Sequence, residues 1–104
     1  MNRTVDPVRA VADALRRAAT TIDCEVAIFA GDAVDWWSAT FAGHRVALTI
    51  ELPATAAADA WLHSLPDAEL PLAGRIVADC AIGPSHTVGD GRLVKVSLLL
   101  IDLA

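Results

Sequence analysis

Aromatic residues are scarce in this chain: three Trp, two Phe and no Tyr. A core therefore has to be assembled mainly from Leu, Val and Ile. The 55% apolar content overstates the material for it, because 21 of the 104 residues are Ala, which bury little side-chain area each. Cysteine is scarcer still. Cys24 and Cys80 make no CxxC pair and have no His beside them in metal-site register, which argues against zinc and thiol-redox motifs. A disulfide between them is one option; we read them as two buried thiols in a reducing cytoplasm.

Basic residues are also in the minority, eight against 13 acidic ones, for a formal charge of −5. Residues 1–22 hold Arg3, Arg9, Arg16 and Arg17 against Asp6 and Asp13, a net of +2 that leaves −7 for the remainder. An acidic body repels phosphate backbones, so the composition points away from nucleic acid. Long apolar runs are missing too. VSLLLI near the C-terminus is too short to span a bilayer, and MNRTVDPVRA lacks an apolar signal core. The expectation is a soluble cytoplasmic protein with no membrane partner.

Catalytic motifs are wanting in the same way. There is no HxxxH pair and no P-loop, and Ser38, Ser64, Ser85 and Ser97 lie in no GxSxG setting. No metal, cofactor or catalytic residue is therefore assigned. Asp59 and His63 stand four apart on a helix and read as a solvated pair. GPSHTVGDGR gathers Ser85, His86, Thr87, Asp90 and Arg92 in what reads as a turn-rich loop.

The length of the chain suits one compact domain, residues 1–104. Asp6-Pro7 is a helix opening: Asp can accept from first-turn amides, and Pro loses no hydrogen bond at the first helical position. Val8, Val11, Leu15, Ala18, Ala19 and Ile22 then recur at spacings of three and four, giving one apolar face. From Cys24 the period becomes two, in CEVAIFA, VDWWSATFA and HRVALTIEL, separated by a GD turn and an Ala-Gly turn. Thr55 caps a second helix, AAADAWLHSL, with Ala58, Trp61, Leu62 and Leu65 as its stripe. RIVADCAIG and RLVKVSLLLIDL complete the chain as strands. The expected fold is α+β, a mostly antiparallel five-stranded sheet with two helices on one face, in the order α-β-β-β-α-β-β.

Trp36 and Trp37 are adjacent, so in a strand they face opposite ways. Alternation assigns Trp37, Ala39 and Phe41 inward, with Ile76, Ala78, Cys80 and Ile82. Trp36, Arg45, Thr49 and Val77 then fall on the helix-free face. Aromatics and Arg on an uncovered surface are typical of interaction sites. The expected function is a small non-catalytic interaction domain, forming a homodimer or holding a protein partner through the helix-free face or an edge strand. A curled sheet, with Trp36 flat over its own neighbours, is the competing arrangement. The competing function is a small-molecule binder or acid-base enzyme whose pocket, between helices and sheet, uses Trp61, His63 or His86.

Overall fold

The computed structural model describes residues 6–103. Two helices, α1 (Pro7–Thr20) and α2 (Ala56–Ser64), accompany four strands, β1 (Ala27–Trp37), β2 (Ala42–Pro53), β3 (Arg75–Val88) and β4 (Gly91–Asp102). The order is α-β-β-α-β-β, with a 3-10 turn (Leu65–Asp67) after α2. All pairings are antiparallel and the sheet order is β1-β2-β4-β3. The architecture is thus α+β with two helices, as the residue pattern implied, but the sheet has four strands and not five.

The missing strand is a merger. CEVAIFA and VDWWSATFA form the single strand β1, and the Gly31-Asp32 step expected to be a turn pairs with Leu48 and Ala47 of β2. Gly31 serves a different purpose there. A Cβ on it would lie 2.5 Å from Leu48 Cδ2 and 2.7 Å from Val8 Cγ1. Glycine thus lets α1 settle against the sheet, a role that strand glycines often have.

Both helix starts are as the sequence implied. Asp6 accepts from the Val8 and Arg9 amides at 2.8 and 3.2 Å, and Thr55 Oγ1 accepts from Ala58 N at 3.1 Å. The predicted stripes are buried as well: Val11, Leu15 and Ala19 from α1, and Ala58, Trp61 and Leu62 from α2, followed by Leu65. Ile22 is exposed because α1 stops at Thr20 and the chain leaves through Asp23, whose φ of 55° is left-handed. Against the helices the sheet sets Val46, Leu48, Ile50 and Leu52 of β2 and Val94, Val96, Leu98 and Leu100 of β4.

The outer strands do not alternate strictly. In β1 the register shifts between Ile28 and Ala30, leaving Phe29 as the extra residue. In β3 it shifts twice, between Val77 and Asp79 and between Ile82 and Ser85. Each bulge inserts residues into one strand and can change which side chains face the core. Val77 therefore pairs with Leu100 and packs on the core, while Ile76 pairs with Ile101 and is half-exposed. This reverses the expected placement of both, and Ala78, expected inward, is the bulged residue and is exposed. Beyond the first bulge Cys80 and Ile82 face inward, as expected.

PSHTVGDG is likewise more ordered than its composition suggests. β3 continues through His86 to Val88, and only Gly89-Asp90 lies between it and β4. Gly89 has φ 58° while Asp90 has no positive φ, the pattern of a II′ hairpin turn.

Candidate functional site

Opposite residues of an antiparallel pair share a face, so the register sorts the side chains of the sheet. Trp36, Arg45 and Thr49 do lie together on the face turned away from the helices, with Asp79, Lys95, Ser97 and Leu99. Val77 does not belong with them, for the reason given above. Trp36 heads a row that runs across all four strands, Trp36, Gly43, Ile101 and Ile76. Gly43 has no side chain to stand between the indole and Ile101, and a Cβ there would strike the Leu100 carbonyl. Trp36 is half-buried and Ile101 is 7% exposed although no helix covers this face. The arrangement resembles the flat-lying tryptophan of the competing reading more than a free indole.

Trp37 has the opposite fate. It is 72% exposed and Phe41 is 55% exposed, which corrects the inward assignment of both. Trp37 has the phase of the helix-covered side, but α1 begins over Gly31, and the end of the β1-β2 hairpin runs on past it. The hairpin is closed by Ser38, whose amide donates to the Phe41 carbonyl at 2.8 Å and whose Oγ accepts from the Thr40 and Phe41 amides. Phe29, in the β1 bulge, is 62% exposed. Four of the five aromatic residues thus sit on β1 or its turn, and only Trp61 is in the core.

The residues of the alternative pocket do not converge. Trp61 is a core residue at 7% exposure. His63 is exposed on α2, with Nδ1 2.8 Å from the Asp59 carbonyl oxygen. His86 is exposed on β3 opposite Leu93, on the helix-free face. The Asp59 carboxylate turns to Arg92 Nη1 at 2.9 Å, joining α2 to β4 instead of completing a pair with His63.

One polar cluster escaped sequence reasoning. His44 lies on β2 with its Nε2 3.4 Å from Asp35 Oδ1 of β1 and its Nδ1 4.0 Å from Asp102 Oδ1 of β4. Asp102 Oδ1 is in turn 3.3 Å from Nε of the buried Arg75 of β3. The four side chains tie together the same end of all four strands. The two carboxylates approach opposite nitrogens of the ring, so they do not enclose one point. Among the described residues no group of three or more His, Cys, Asp or Glu is placed to hold a metal ion.

Both thiols are free. Burial pushes the Cys24 thiol above its ordinary pKa, with the Glu25 charge adding to it. Cys80 is raised in the same way by burial and then by Asp79. Neither environment favours a thiolate nucleophile. No helix among the described residues is long and apolar enough to cross a membrane. In comparisons with known proteins, the chain matches no family model, no curated protein and no solved structure.

Proposed function

We propose that this chain is a small non-catalytic interaction domain that acts as a homodimer and works in a reducing cytoplasm. The observation that carries the reading is the placing of the aromatics. Phe29, Trp37 and Phe41 stand in solvent on one edge strand and its turn, while the core is closed by aliphatic residues and a single Trp. Aromatic side chains are the commonest anchors of protein interfaces, and several of them exposed along one edge strand and its turn in a small protein are best accounted for by a partner. The scattered positions of Trp61, His63 and His86, and the raised pKa of both thiols, weigh against the small-molecule or acid-base reading.

Native mass spectrometry and sedimentation of the purified chain test the reading. The expected result is a dimer mass, with dimer affinity weakened about tenfold or more when Trp37 and Phe41 are both replaced by Ala, as for interface anchors. A monomer at every attainable concentration refutes it.

A further inference from the structure

We propose that the dimer forms by antiparallel pairing of β1 with β1 of a second copy, about a two-fold axis at Ala33, so that two four-stranded sheets become one continuous sheet. This rests on the homodimer reading above and adds to it the surface and the register.

The sheet has two edges, β1 and β3. They are not equally open. β3 is interrupted by two register shifts and carries Pro84 within the second, devices that blunt an edge against pairing. β1 has one shift, at Phe29, after which residues 30–37 pair with β2 without interruption and contain no proline. An antiparallel edge strand leaves every second residue with its N–H and C=O pointing outward, a template for another strand. The exposed Phe29, Val34 and Trp37 lie along this same strand.

The charges on β1 permit a second copy. For a sheet to continue with its helices on one side, paired residues must share a face, so a residue of even number meets one of even number and odd meets odd. Asp32 and Asp35 differ in parity and therefore never stand opposite each other. Either meets its own copy only if the axis passes through it. The β1 midpoint is Asp32, which would oppose two like charges. The neighbouring permitted axis toward the regular end of the strand is at Ala33. With the axis there, Asp32 lies opposite Val34, Gly31 opposite Asp35, and Ala30 opposite Trp36. Phe29, the bulged residue just beyond the regular stretch, comes next to Trp37 of the other copy, with its face set by the bulge and not by the parity rule. Both exposed rings of β1 then acquire a neighbour, and no charge opposes its like.

Cysteine cross-linking of the full chain reads the register. Ala33→Cys and, as a control on the other edge strand, Ile76→Cys are each exposed to oxidised glutathione beside the unmodified chain, and linked peptides are identified by mass. Because a residue on the axis meets its own copy, Ala33→Cys is expected to form a covalent dimer through residue 33, and Ile76→Cys and the unmodified chain are not. Hydrogen exchange of the unmodified chain avoids dependence on the variant's folding. Exchange of the outward-pointing amides of residues 30–36 should slow by about fivefold between dilution and a total chain concentration about ten times the dissociation constant, where about a fifth of the chains remain monomeric. A dimer in which Ala33→Cys fails to link and these amides do not slow overturns the β1 register and leaves the homodimer reading intact. A monomer throughout overturns both.

Discussion

Replacing Gly31 by Ala tests whether this glycine belongs to a turn or to a helix contact. The new methyl would lie 2.5 Å from Leu48 Cδ2 and 2.7 Å from Val8 Cγ1, about 1 Å inside the usual carbon contact of ~3.5–4.0 Å. Leu48 is fully buried, so it has little room to turn away. Overpacking of this kind costs about 1–3 kcal/mol, from which the ~0.5–1 kcal/mol that Ala gains over Gly in a strand is subtracted. A net loss of about 1–2 kcal/mol should lower the urea midpoint by about 1–2 M at an m value near 1 kcal/mol/M. Repeating the change in a Val8→Ala background removes one of the two obstructing groups, and about 0.5–1 kcal/mol of the loss should return as coupling. A loss that is the same with and without Val8 would refute the helix-contact role of Gly31. So would a gain in stability.

Trp61→Ala should cost about 3–5 kcal/mol as a large-to-small core change, whereas Trp37→Ala, measured at high dilution, should change stability by no more than about 0.5 kcal/mol. Urea unfolding of the two variants gives the comparison, and the opposite ranking would put the wrong tryptophan in the core. Asp23 is the only non-glycine with positive φ among the described residues, so Asp23→Gly should raise the melting temperature and Asp23→Val lower it, each by an amount equivalent to about 1 kcal/mol. Because burial raises the Cys80 pKa, its protonated form is favoured in the fold. Its stabilisation is complete below the usual thiol value of about 8.5 and is lost as pH rises through the folded value. Cys80→Ala should flatten that alkaline decline in a pH series of unfolding curves. Iodoacetamide should also label the half-buried Cys24 faster than Cys80 in the folded chain.

Local features were legible in the chain itself. Asp6-Pro7 and Thr55 announce the helix starts, because a cap needs only a few neighbouring residues. The stripes of α1 and α2 and the alternation of Val46, Leu48, Ile50 and Leu52 follow from the helix and strand repeats alone. From these the α+β class and the helix-covered face of β2 could be read without coordinates.

What the sequence left open depended on residues distant along the chain. Gly31 looks like a turn residue until Val8 and Leu48 are placed beside it. Alternation carried through Ala78 misplaces Ile76 and Val77, because a bulge is defined by the partner strand and β4 arrives only later. Trp37 has the phase of a core residue and yet stands in solvent, since phase says which side it faces and only the position of α1 says whether that side is covered. The chain from Asp35 through His44 and Asp102 to Arg75 has no local signature. Its members come from four strands and meet only once the order β1-β2-β4-β3 and its register are set. Short-range periodicity and capping thus determined the helices and the central strand β2, while strand number and order, bulges and the extent of helix cover decided which side chains became core and which became surface.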